Sequence, residues 1–166
     1  MASTLVLGVG NTLLTDDGAG VHAAMQLAPR VADTPGIRVL DAGTLGFALL
    51  PEVQRCNELM VFDATASGGT PGAVTVREST DMDVFVRRRG RSVHEVGIAD
   101  LLDMARLTEC LPERRALIGI EAQTIDWGTA CTPQIHAALP QAVAKALEVL
   151  QRWRAGSGSE DIADVA

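Results

Sequence analysis

Apolar runs alternate with stretches of helical periodicity along this chain. Leu5-Val6-Leu7-Gly8-Val9 reads as a first buried strand, followed by a Gly-rich loop and an Ala-rich helix from about Gly18 to Ala28. Ile37-Arg38-Val39-Leu40-Asp41 is the second strand, and Leu45 to Cys56 is expected to be helical. Leu59-Met60-Val61-Phe62 forms a third strand that ends at Asp63-Ala64. The Ser67-Gly68-Gly69-Thr70-Pro71-Gly72 cluster has strong turn chemistry, and Ala73 to Arg77 follows as a shorter edge strand. Ser92-Val93-His94-Glu95 matches a capping box, with Ser92 as N-cap and Glu95 reaching back from the third helical position. Ile98, Leu101, Leu102 and Ala105 then make an apolar stripe. Leu117-Ile118-Gly119-Ile120 is the fifth strand. Thr132-Pro133 opens a last helix, striped by Ile135, Leu139, Val143, Ala146, Leu150 and Trp153. This alternation predicts an α/β fold: a three-layer sandwich with a twisted, mostly parallel five-stranded sheet and helices on both faces.

Length and composition narrow the picture. At 166 residues the chain suits one domain, expected over 1–154, with a flexible tail over 155–166. A net charge of −7 disfavours general binding to nucleic acid or anionic membranes. Aromatic residues make up only 3%, with no Tyr, too few for a base-stacking platform. Cys56, Cys110 and Cys131 form no C-x-x-C pair. An odd cysteine count, a start without a secretion signal and no long apolar run together point to the cytoplasm.

Ligand sites in open α/β sheets lie at the carboxyl ends of the strands. There the chain carries Gly8-Val9-Gly10-Asn11-Thr12-Leu13-Leu14-Thr15-Asp16-Asp17-Gly18, then Asp41-Ala42-Gly43-Thr44, then Asp63, with His94 following later. A dinucleotide loop would need its third glycine at position 13, which is Leu13, and Asp16 and Asp17 would repel a pyrophosphate. A cation site fits the residue types better. Two carboxylates and one imidazole, from Asp17, Asp63 and His94, make an open N/O set suited to nickel, zinc or iron. At the second position of a helix, His94 would be held neutral by the helix dipole. Each also has a plainer reading: Asp17 as a helix cap, Asp63 as a cap of the Gly-rich loop, His94 as a surface or capping residue. Asp16 is expected to be a helix cap, and His22 and His136 to lie on the surface. Arg87-Arg88-Arg89 and Arg91 read either as a solvated strand or loop, or as a docking patch for an acidic partner.

Four segments, in this order and spacing, resemble the nickel–iron hydrogenase maturation endopeptidases. They are Gly8 to Gly20, Asp41 to Gly46, Asp63 with Gly68 to Gly72, and Ser92 to Leu102. The likeness runs from about residue 4 to 153. It implies a twisted sheet between helix layers. It implies metal contact by Asp17, Asp63 and His94, and substrate selection by Asp41, Gly43 and Thr44, with Ala42 standing where the family has glycine. It implies an endopeptidase that recognises nickel already inserted in a hydrogenase large-subunit precursor and cuts just beyond the precursor's C-terminal metal-binding motif. The nickel would come with the substrate. Activation of water by the metal and proton abstraction by a carboxylate both remain open. Serine or cysteine nucleophiles are disfavoured, since no G-x-S-x-G elbow is present. A non-cleaving chaperone of the nickel-loaded precursor and a small nucleotide-binding module are the competing readings.

Overall fold

The computed structural model describes residues 3–88 and 97–157. Its strands are β1 (Thr4–Val9), β2 (Ile37–Gly43), β3 (Glu58–Thr65), β4 (Val74–Glu78) and β5 (Arg114–Glu121). Its helices are α1 (Ala19–Val31), α2 (Leu50–Val53), α3 (Ser79–Arg88), α4 (Ile98–Leu107) and α5 (Pro133–Ser157). The strands form one five-stranded sheet in the order β2-β1-β3-β5-β4. All neighbours are parallel except β4, which runs antiparallel along the edge.

Strand alternation sorts the core into two layers. Val6, Met60, Phe62, Ile118 and Ile120 face α1 and α5, where Leu27, Ile135, Leu139 and Val143 meet them. Leu5, Leu7, Leu59, Val61 and Leu117 face the other way, against Val53 of α2, Met82 of α3 and Leu101 and Leu102 of α4. The sheet is therefore covered on both sides, as near-continuous apolar strands require. Every residue of the expected α5 stripe, from Ile135 to Trp153, is buried. Arg114 ties the far end of that helix down: its guanidinium donates to the Trp153 carbonyl (2.7 Å) and to Glu58 (3.1 Å).

Several local expectations are corrected. The stretch from Leu45 to Cys56 is not one helix but a 3₁₀ turn, Gly46–Leu49, followed by the single turn of α2, whose start is marked by Pro51. The fourth helix does not begin at Ser92. Gly97 is extended and serves as N-cap, with the Asp100 carboxylate accepting from the Gly97 N–H (3.3 Å). Ser92, His94 and Glu95, on which the expected cap and the histidine's place in the helix rested, lie outside the described residues. The last helix continues to Ser157, past the boundary expected at 154, and Arg154 donates to the Pro35 carbonyl (2.6 Å). Residues 158–166 lie outside the described residues. Among the described residues, no helix is long and apolar enough to cross a membrane.

Helix α3 has no counterpart in the sequence reading. Arg87 and Arg88 form its last turn rather than a strand or loop, while Arg89 and Arg91 lie outside the described residues. Arg87 is committed to an ion pair with Asp103 of α4 (2.8 Å). The same network holds Asp83, whose carboxylate takes Nε and Nη2 of Arg115 at 2.8 and 2.7 Å and Arg106 at 3.1 Å. The Arg115 hydrogen bonds, against the opposing effect of burial, keep the Asp83 carboxyl below its ordinary range. Asp83→Ala strands the mostly buried Arg115 charge, and we expect a loss of about 3 kcal/mol in urea unfolding at neutral pH. An unchanged midpoint would show that the network is dispensable.

Candidate active site

The strand order reverses between β1 and β3: from β1 the chain passes to β2 on one side, then returns to β3 on the other. A crevice opens at such a switch point, outside the carboxyl ends of the strands. Asp17 sits in a 3₁₀ turn, Thr15–Gly18, that packs against β3. Asp63 lies on β3 itself, half-buried, on the strand face shared with Leu59 and Val61. That is the face α4 covers. The structure thus brings the Asp17 turn and the Asp63 strand together at one end of the sheet. His94 is not placed, lying among the residues outside the described set.

The loop after β1 is folded inward on itself. The Asn11 N–H donates to the Asp17 carboxylate (2.7 Å) and the Leu13 N–H to the Asn11 side chain (2.9 Å). Gly10, Leu14, Thr15, Asp16 and Asp17 donate their backbone N–H groups to Gly43, Asn11, Gly128, Thr124 and Leu14. A phosphate cradle works by presenting such N–H groups to the ligand; here a pyrophosphate would have to displace these bonds. Gly10 has φ of +128°, and a Cβ there would lie 1.8 Å from the Asp17 carbonyl oxygen. Only glycine lets the chain turn this tightly over Asp17.

Asp41 is exposed at the end of β2, its carboxylate accepting from the Gly43 N–H (3.0 Å). A register shift between β1 and β2 opens here, between the pairs Gly8–Asp41 and Val9–Gly43. Ala42, fully buried, takes an ordinary negative φ, so the turn does not need the family's glycine at that position. Gly43 is half-buried and Thr44 is exposed.

Asp16 is not a cap of its own helix. It is completely buried, and its carboxylate accepts the N–H groups of Gln123 (3.0 Å), Thr124 (2.9 Å) and Thr132 (2.6 Å) and the Thr132 hydroxyl (3.0 Å). It thereby clamps the loop between β5 and α5 to the turn that bears Asp17. Glu121 plays the same part for the loop after β3. It accepts from Thr65 (2.6 Å), from the Ser67 N–H and hydroxyl (both 2.8 Å) and from the Gly69 N–H (2.9 Å). Burial opposes its ionisation, but these bonds outweigh burial and leave the Glu121 carboxyl below its ordinary value. Burial, reinforced by the nearby Asp16 charge, pushes the Cys131 thiol up to about 11. A thiol in that state is a poor nucleophile at neutral pH.

Known proteins share this fold and identify the family. The family model for hydrogenase maturation protease, HycI, matches residues 21–149. The chain belongs to the hydrogenase maturation protease family. It is accordingly a peptidase. The hydrogenase expression/formation protein HupD of Rhodobacter capsulatus is 35% identical over 150 residues, covering 90% of this chain and 71% of the relative. The hydrogenase 2 maturation protease of Escherichia coli is 30% identical over 148 residues, covering 89% and 90%. The solved hydrogenase maturating endopeptidase HybD from E. coli superposes with a TM-score of 0.80 at 28% identity, over 90% of this chain and 93% of that one. The NiFe hydrogenase maturation protease HybD from Thermococcus kodakarensis gives 0.74 at 30% identity, over 89% and 98%.

Sequence reasoning missed Glu121 altogether and misassigned Asp16 and His22. Histidine 22 is half-buried rather than on the surface, with Nε2 tucked beside Gly18. His136 is exposed, as expected. The only available signal for Asp16 and Glu121 was a carboxylate at a strand or loop boundary, which leaves the partner unidentified.

The pH dependence follows from the sign of the Glu121 shift. With the folded value lowered from 4.5, its stabilising contribution is complete above that pH and disappears as pH falls through the folded value. Thermal melts between pH 6 and 3 should show Glu121→Gln less stable than the wild type at pH 6, with the gap closing on acidification. A gap that is constant across the series would show that the Glu121 charge contributes nothing to stability.

Proposed function

We propose that this peptidase removes the C-terminal extension of a nickel–iron hydrogenase large-subunit precursor after nickel insertion, and that it recognises the nickel the precursor carries. The observation that supports this best is the convergence of the Asp17 turn and the Asp63 strand at the topological switch of the sheet. His94 is the third member of the proposed set.

Two carboxylates and one imidazole fall short of the four ligands of a closed structural zinc site. Among the described residues, no group of three or more His, Cys, Asp or Glu is gathered to hold an ion. An oxygen-rich, incomplete set is suited to an ion held mainly by the thiolates of the substrate. The precursor's nickel, as part of the substrate, supplies Lewis acidity at the scissile carbonyl. Asp17 and Asp63 offer oxygens toward the substrate, and either carboxylate can take a proton from the attacking water. The Asn11 N–H donated to Asp17 orients that carboxylate. Asp41, Gly43 and Thr44, at the neighbouring strand end, contact the substrate and select it. The free thiols Cys56, Cys110 and Cys131 fit a reducing cytoplasm.

The test is incubation with nickel-loaded precursor, read by mass spectrometry of its C-terminus. We expect a mass decrease with loaded precursor and none with nickel-free precursor. A stable, uncut complex would instead identify a chaperone. Asp17→Asn, Asp63→Asn and His94→Ala should each slow processing by at least ~100-fold, the scale of a lost proton-transfer group, with melting temperature unchanged. Full activity in one variant removes that residue from the set. Asp41→Asn should shift preference among different large-subunit precursors more than it shifts stability; equal preference would deny it a role in selection.

A further inference from the structure

Five large apolar side chains stand exposed on loops at the carboxyl end of the sheet: Leu13, Leu45, Phe47, Ile125 and Trp127. They come from the loops after β1, β2 and β5, the same loops that surround Asp17 and Asp41. Trp127 is the extreme case at 80% exposed, in a chain whose other tryptophan, Trp153, is 7% exposed. An exposed indole contributes nothing to the core.

The backbone that presents Trp127 is held tightly. Its own N–H donates to the Asp126 carboxylate (2.7 Å), and the Asp126 N–H donates to the Thr15 hydroxyl (3.1 Å). The Thr15 hydroxyl in turn donates to the Thr124 carbonyl (2.7 Å). Next to the indole, Gly128 exchanges backbone bonds with both Leu13 (3.0 Å) and Thr15 (2.9 Å). A Cβ at Gly128 would come within 2.8 Å of the Thr15 methyl, so any larger residue there would have to push the Thr15 side chain aside. Thr15 itself is held at φ of +42°, a conformation unfavourable for a β-branched residue. Such strain persists only where surrounding bonds enforce it, and it gathers at functional sites. Behind it all lies the Asp16 clamp on residues 123, 124 and 132.

We infer that the β5–α5 loop is a docking anchor, in which Trp127, flanked by Ile125 and Leu13, seats an apolar part of the hydrogenase large-subunit precursor beside its cleavage site. This rests on the reading above for the identity of the occupant. The argument for that occupant is continuity. The anchor is joined by hydrogen bonds to the Asp17 turn, and a peptidase whose client is a whole protein subunit gains affinity from surface beside the bond it cuts. A rigid aromatic on a preordered loop loses little freedom on binding, and tryptophan is the residue type most enriched among dominant contacts. The anchor supplies affinity, while the carboxylates act on the bond.

The test compares wild type and Trp127→Ala for both binding to nickel-loaded precursor and cleavage of it. Trp127→Ala should raise KM and Kd at least tenfold and change kcat less than threefold, with an unchanged melting temperature because the side chain is exposed. Trp127→Phe should recover most of the affinity. An alanine variant with wild-type Kd overturns the anchor, whether or not cleavage is observed. Wild-type protein that binds the precursor without cutting it defeats the proposed reaction, yet the anchor is still judged by the Kd of the variant. Wild-type protein that neither binds nor cuts overturns both.

Discussion

The Asp16 carboxylate is the constraint on which the functional end of the molecule depends. It is completely buried and takes four hydrogen bonds from the loop that joins β5 to α5. Without those bonds, the N–H groups of Gln123, Thr124 and Thr132 would lose their acceptor, and the bonds of Leu13, Thr15 and the Asp16 N–H to Thr124, Asp126 and Gly128 would be left to join the loop to the turn after β1. That side chain, together with the Leu13 and Thr15 bonds to Thr124, Asp126 and Gly128, ties the turn bearing Asp17 to the segment carrying Trp127. A carboxylate surrounded by N–H and hydroxyl donors is well stabilised in a low-dielectric interior, whereas one without them would be very costly there. The clamp is stable because all of its partners are backbone groups or a nearby hydroxyl, which have few alternatives.

The same device recurs on the other side of the crevice. Glu121, at the end of β5, holds the loop after β3 through Thr65, Ser67 and Gly69. The loop after β2 is held more locally, by the Asp41–Gly43 turn and the bond between Gly10 and Gly43. Three loops at the carboxyl end of the sheet are thus braced by carboxylates. Loops at the surface are otherwise the least ordered part of an α/β fold. The apolar layers on the two sheet faces carry the stability of the domain. The polar braces carry its precision at one end.

The sheet, the two-sided coverage and the stripe of α5 were legible because apolar periodicity is a local signal and these elements are long or fully buried. Strand β4 was legible as a short edge strand for the same reason. Helix α3 was not, because its polar face and the arginine run conceal the stripe of Met82, Phe85 and Val86, and because Ser79 begins it at a positive φ directly after β4. The start of α4 was misread because Ser92 and Glu95 match a capping box in spacing, while the cap actually uses Gly97 and Asp100. Spacing identifies a set of residue types able to cap. It does not say which of two neighbouring sets the chain uses. Asp17, Asp41 and Asp63 could be singled out because they lie near the ends of apolar strand runs or in the loop just beyond one. Asp16 and Glu121 could not, because their partners lie 107 to 116 and 52 to 56 positions away in sequence, and no local pattern encodes that distance.

On the proposed reading of nickel recognition and rim docking, these features together would divide the work of recognition. A complete ligand set on the enzyme would hold an ion on its own and so would engage a client whether or not that client was loaded. An incomplete set gains its binding energy only when the client brings the missing thiolates along with the ion. Such a site is a weak source of affinity for the protein as a whole, so the enzyme needs a second, metal-independent contact to hold the precursor long enough for the ion to be sampled. Rigid apolar residues on a braced rim meet that need without adding any metal ligand. Docking strength and the test for nickel can then be tuned separately, since mutations on the rim act on encounter and residence while the carboxylates govern the cut. On that reading the Asp16 clamp would help keep the two at a fixed separation, so that a client seated on the rim would present its ion in one orientation.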